Sequence, residues 1–200
     1  MGSVIRRLRF LRPELSPDEF RLGGACPSGI ESLVDPAEYG LLGVFPLISK
    51  PAEALSLFVT RRLEVLFDAA YGVHDGGAVL ASVHKKGLGS GSEAHRLFIQ
   101  TYGIEVGAEE EDSEMVEGQS YVPASGNKLG GEPDLFRGVE NWEGELFRLR
   151  KEGFEHYLQL DVPREGDSTL DEEWPFPNGM FHLYVRPASS RLDTRWFWEF

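Results

Sequence analysis

His156, Asp161 and His182 are the residues whose types and spacing come nearest to chemistry. They fall on two stretches that read as neighbouring strands, Phe154 to Val162 and Gly179 to Arg186. Two imidazoles and a carboxylate could there converge on a metal ion or a small ligand. The plainer expectation for a strand histidine is a half-buried ring bonded to a neighbour. The five histidines, His74, His84, His95, His156 and His182, contain no pair at metal-binding spacing, and the one cysteine, Cys26, leaves no thiolate cluster. No metal or cofactor is therefore expected. Cys26 lies between Ala25 and Pro27, just after Gly23-Gly24, with no histidine beside it to lower its pKa, so a packed free thiol is expected. A G-x-S-x-G elbow is absent. Gly87 to Ser92 is glycine-rich but lacks the lysine and spacing of a phosphate loop. The residues thus give no reason to expect an enzyme.

Charge points toward binding instead. The chain has 20 basic and 33 acidic residues, a formal net charge of -13. Such a surface repels nucleic acid and anionic lipid and attracts basic partners. Residues 105–117 concentrate this charge in Glu105, Glu109, Glu110, Glu111, Asp112, Glu114 and Glu117, with no basic residue among them. Self-repulsion predicts a solvated, mobile connection there. The sharper expectation is a docking surface for a basic partner, made by Glu109, Glu110, Glu111, Asp112 and Glu114. The basic start, Arg6 to Arg12, is not followed by an apolar export segment, and Tyr39 to Ser49 is too short to span a bilayer. A cytoplasmic protein with no nucleic-acid or membrane partner is expected.

These residues need elements to position them. In the first half, Ser16-Pro17-Asp18-Glu19 is a helix-start signal. Residues 51–70 read as the clearest helix, with Leu55, Phe58, Val59, Leu63, Leu66, Phe67 and Ala70 at three- and four-residue steps, although β-branched and aromatic content keeps a strand open for Leu57 to Val65. A short buried strand is expected near Leu41 to Phe45 and another from Ala78 to His84. Ser92 is expected to cap a helix over 93–102. In the second half, strands are expected at Phe154 to Val162, Gly179 to Arg186 and Thr194 to Phe200. Phe181, Leu183 and Val185 should share one face, with His182 and Tyr184 on the other. Trp196, Trp198 and Phe200 should oppose Phe197. The fold class expected is α+β: a mostly antiparallel sheet, with several helices contributed mainly by the N-terminal half. At 200 residues, 41% of them hydrophobic, this suits one domain, with halves 1–104 and 118–200 joined by the acidic segment 105–117. A short internal echo links Arg21-Leu22-Gly23-Gly24 to Lys128-Leu129-Gly130-Gly131.

The stretch 127–200 carries a paired-glycine motif at Lys128, Gly130, Gly131 and Pro133. A strand with Gln159 and Asp161 follows, then Trp174, then Asn178-Gly179 leading into an aromatic strand. In order and spacing this resembles the YwqG-like family, a bacterial domain of unknown function. The usual Trp-Gly-Asp stretch is replaced by Trp174-Pro175-Phe176-Pro177. The resemblance implies one YwqG-like domain in which those residues are fold markers. It also implies a setting beside secreted bacterial toxins. That setting suggests a non-enzymatic immunity protein neutralising a cognate basic toxin, such as a nuclease effector of a type VI secretion system. The alternative is a ligand- or metal-binding protein, or an undescribed enzyme, with its pocket near His156, Asp161 and His182.

Overall fold

The computed structural model describes residues 4–11, 20–68, 72–97, 99, 101–112, 126–135, 142–161, 176, 179–187 and 192–199. They form β1 (Val4–Leu11), β2 (Arg21–Leu22), β3 (Tyr39–Pro46), β4 (Glu53–Thr60), α1 (Leu63–Asp68), β5 (Val79–Lys85), β6 (Tyr102–Glu111), β7 (Lys128–Gly130), α2 (Glu143–Lys151), β8 (Glu155–Leu160), β9 (Met180–Pro187) and β10 (Leu192–Glu199). All ten strands belong to one antiparallel sheet in the order β10-β9-β8-β7-β1-β6-β2-β3-β4-β5. The ends of the sheet approach each other where His74 bridges to Trp196, N–H to O in both directions at 2.9 and 3.0 Å. The result is a nearly closed barrel.

This corrects the expected α+β class. The described residues hold two α-helices, only one of them in the N-terminal half, and the sheet runs through both halves. The helix expected over 51–70 is strand β4 followed by the six-residue α1. Every residue from Ala54 to Thr60 is buried. A strand covered on both faces shows no two-residue alternation, so its apolar residues fell at helical steps by coincidence. The helix expected over 93–102 is a single 3-10 turn, Glu93–His95. Ser92 does cap it, its Oγ accepting from the Ala94 N–H at 3.1 Å, but β6 begins at Tyr102. The expected connection over 105–117 is, as far as residue 111, the outer part of β6. Ser16 to Glu19 lies outside the described residues. Among those described, no helix is long and apolar enough to cross a membrane.

The topology explains the sequence echo. β2 to β5 form one meander and β7 to β10 another, while β1 and β6 sit between them with their places exchanged: β1 pairs with β7, and β6 with β2. Half one (β1–β5) and half two (β6–β10) are therefore related strand for strand. Arg21 pairs with Val44 as Lys128 pairs with Gln159. The β3–β4 and β8–β9 registers each shift at the corresponding place, between Leu41 and Gly43 and between His156 and Leu158. Both glycine pairs take the left-handed conformation that the chain needs on leaving β2 and β7, with φ of 67° and 82° at Gly23 and Gly24 and 76° and 69° at Gly130 and Gly131.

The barrel interior joins both halves. Leu8, Leu22, Phe45, Leu57, Leu183, Trp196 and Trp198 belong to its apolar cluster. Burying each large side chain contributes about 1.5–3 kcal/mol. For the described residues the expected facing of β9 and β10 is found: Phe181, Leu183, Val185, Trp196 and Trp198 point inward, while Tyr184 and Phe197 join an outer cluster under α2 with Trp142, Leu146, Leu149 and Phe154; Phe200 lies outside the described residues. The outer face of half one is covered by Cys26, Ile30 and Val34, which pack on Leu41, Val44, Ala54 and Phe58.

Candidate functional site

Antiparallel cross-strand partners share a face of the sheet. One such row crosses half two: Arg7, Lys128, Gln159, His182 and Phe197. His156 and Tyr184 pair on the same face, and Glu199 lies two residues from Phe197. Lys128, Gln159, His182 and Glu199 are fully buried there. The equivalent positions of half one hold Arg21, Val44 and Ser56, with Leu41 and Phe58 in place of His156 and Tyr184. The architecture can thus close that face largely with apolar side chains, and half two places a polar cluster in it.

The network is directional. Both polar atoms of the Gln159 amide are engaged: its Oε1 accepts from the Asp134 N–H and its Nε2 donates to the Gly126 carbonyl, both at 2.8 Å. His156 Nδ1 lies 3.2 Å from the carbonyl oxygens of both Gly130 and Gly131. Carbonyls only accept, so this nitrogen carries the proton. In neutral His156, Nε2 is then an acceptor, and His182 Nδ1 faces it at 3.4 Å as the donor. His182 Nε2 in turn stands 3.4 Å from Glu199 Oε1, two acceptors unless a proton lies between them. The other Glu199 oxygen accepts from Trp142 Nε1–H at 2.9 Å. Phe197 stacks on both His182 and Trp142. The arrangement can hold and pass a proton along Glu199, His182 and His156.

Lys128 closes the far side. Its Nζ is 3.7 Å from Asp112 Oδ2, an ion-pair distance too long for a hydrogen bond, and it has no hydrogen-bond partner among the described residues. Burial lowers the Lys128 pKa, with Asp112 opposing. Burial raises that of Asp134, with Lys128 opposing. Both histidines are pulled below their ordinary 6.5 by burial, His156 well below, where His182 and Lys128 add to the effect; for His182, Glu199 opposes it.

Below pH 6.5 the unfolded chain binds protons that the folded histidines refuse, so their contribution is complete above 6.5 and stability falls as pH drops toward the folded values. Asp134 acts in the opposite sense, in the carboxylate range. Urea midpoints followed from about pH 8 to pH 5 should therefore decline in the native protein and decline less in His156→Gln. A variant that keeps the native slope would remove His156 as its source.

Of the sequence-predicted trio, the structure brings His156 and His182 together and puts Glu199 where Asp161 was expected. Asp161 instead uses its N–H to bond Asn127 Oδ1 at 2.9 Å. No group of three histidine, cysteine or carboxylate side chains among the described residues is placed to hold a metal ion. Glu199 was legible in principle, since strand alternation puts it on the face of Phe197. Trp142 and Asp134 gave no signal.

The predicted acidic surface divides. Glu109, Glu110 and Glu111 are exposed on β6; Arg6 and Arg7 of β1 bind Glu109 and Glu110, each at 2.6 Å. Asp112 is buried, taking the Glu132 N–H at 2.8 Å, and so belongs to the Lys128 cluster rather than to a surface. Glu114 lies outside the described residues, as do Trp174 and Asn178. The marker Pro133 is buried. Cys26 is a buried free thiol pushed up to about 11, first by burial and then by Glu31, so it is no nucleophile at neutral pH.

No family model, no curated protein and no solved structure matches this chain.

Proposed function

We propose that the protein is a non-enzymatic, cytoplasmic immunity protein of YwqG-like type that binds and neutralises a basic bacterial toxin, such as a nuclease effector of a type VI secretion system. The observation that carries this reading is the outer end of β6. Four successive residues, Ala108 to Glu111, are exposed, so both faces of that strand end meet solvent, and three of the four are glutamates. They stand on a strand paired along its length with β1, not on a loose tail. Carboxylates fixed in this way steer a basic partner without an ordering cost. Arg6 and Arg7 offset part of the charge, but exposed pairs of this kind hold little energy, about 0–1 kcal/mol, and can exchange for a partner's cations.

The test is co-expression with the product of the adjacent gene, followed by stopped-flow association at increasing salt. Glu109→Gln, Glu110→Gln and Glu111→Gln together should slow association about tenfold and flatten its salt dependence. A complex whose rate and salt dependence both stay unchanged would remove β6 from the interface. A neighbour that is harmless and does not bind would remove the immunity reading.

A second reading is a small-ligand site at the buried cluster, favoured by the amine of Lys128, which is buried without a hydrogen bond among the described residues. Native mass spectrometry of the purified protein, with Lys128→Met as control, tests it. A bound species lost in the variant would support it, and the bare mass in both would exclude it.

A further inference from the structure

The barrel is not closed along its whole height. β5 and β10 are the two ends of the sheet, and past the His74–Trp196 bridge nothing among the described residues pairs with the outer edge of either. A groove of about 650 Å³ lies between them, within the roughly 300–1,000 Å³ range of sites that take a small ligand. A smaller hollow of about 310 Å³ shares Gly76, Ala81, Ser82 and Thr194 with it and continues to Leu33, an exposed apolar side chain.

Hydrogen-bond parity shows what the groove walls offer. Ala78 O accepts from Thr60 N–H, and Lys86 N–H donates to Ala52 O, so the even-numbered residues of β5 bond toward β4. The backbone groups of Ala81 and Val83 therefore point into the groove. On β10, Trp196 spends its N–H and C=O on His74, so Leu192 and Thr194, of the same parity, also point away from β9. The Thr194 carbonyl is held by the Arg195 guanidinium at 2.9 Å, a side-chain cover that can swing aside. Ala81, Val83 and Leu192 turn partly buried side chains onto the barrel core. The rim carries the pairs Arg186–Asp193 and Arg195–Asp75, at 2.9 and 3.9 Å, and so has no net charge.

We propose that this seam is a docking slot for a single extended segment of another protein, which completes the barrel as an inserted strand. Two facing edges with inward-directed N–H and C=O groups match a backbone whose two sides are both free; β5 and β10 come within 8 Å where they are nearest, so the segment enters as the edges part to the roughly 9.5 Å of two strand spacings. The edge strand of a second folded copy already has one side paired and can fill only one wall. The core below and the neutral rim above call for small apolar residues alternating with uncharged polar ones. By strand order the slot lies across the barrel from β6, so it stands or falls independently of the acidic strand.

The probe is a capped heptapeptide of alternating threonine and valine with one lysine added at each end. Amide hydrogen exchange is followed in the full chain. Millimolar peptide should slow exchange at Ala81, Val83, Leu192 and Thr194 about tenfold or more. The same peptide with proline at every valine position, which has no N–H to donate toward one of the two walls, should not. Ala81→Pro removes an outward N–H while leaving the β4 pairing intact, and should abolish the effect. If that variant fails to fold, the proline peptide still decides. Unchanged exchange, protection away from the seam, equal protection by the proline peptide, or protection that rises with protein concentration alone would each overturn the proposal. The three β6 glutamine substitutions should leave peptide protection unchanged, which separates failure of the slot from failure of the acidic surface.

Discussion

Gly179→Ala should destabilise the protein by more than about 3 kcal/mol, read from urea unfolding. A Cβ at this position would fall on the carbonyl oxygen of Glu199, with Trp198 Nε1 at 2.5 Å and Glu199 C at 2.9 Å. These are largely atoms of a paired strand backbone, not the far end of a side chain that can turn away. Moving β10 outward also pulls Glu199 from Trp142 and shifts Phe197 under α2. The glycine is needed for space, since its φ is not in the left-handed region. Gly144→Ala is the matched control. It lies in α2 with nothing within 4 Å of the new methyl, and should be neutral or stabilise by up to about 1 kcal/mol. Equal losses at the two sites would mean that the close approach at Gly179 is not the cause.

Glu199→Ala should cost about 3–5 kcal/mol, since it leaves the Trp142 N–H buried without a partner and takes the carboxylate away from the buried His182 ring. Glu199→Gln should cost much less: its carbonyl oxygen keeps the Trp142 bond, and its amide can donate to His182 Nε2. A double-mutant cycle of Glu199→Ala with Trp142→Phe should give a coupling of about 1–2 kcal/mol. Strict additivity would show that the two side chains do not act together. A Gln variant as damaged as the Ala variant would show that the carboxylate charge, rather than its oxygens, holds the cluster.

The strands of half two were legible because β9 and β10 have one dry face and one mixed face, so Phe181, Leu183, Val185, Trp196 and Trp198 alternate cleanly with His182, Tyr184 and Phe197. Half one was misread because β4 is covered on both sides. The acidic run misled for a different reason. Its charge is offset from β1, about a hundred residues away, and local sequence cannot show that Arg6 and Arg7 will lie beside Glu109 and Glu110. The candidate site was half legible. Two histidines on adjacent strands met as expected, but register chose Glu199 over Asp161, and the surroundings of Lys128 come from Asp112 just past the end of β6 and from Asp134 in the chain after β7.

The exchange of β1 and β6 between the halves has a consequence for biosynthesis. β1 leaves the ribosome first, yet its partners are residues 103–111 and 128–130. At ordinary elongation rates of about 5–20 residues per second, Ile5 and Leu8 wait roughly 5–20 s before the first of these neighbours, β6, is complete. The nascent first half must hold its meander together with an open edge at β2 until β6 arrives. Chaperone shielding of the stretch from β1 to β6, or a pause in translation after β6, would therefore influence the yield of folded protein more than the same intervention in the second half.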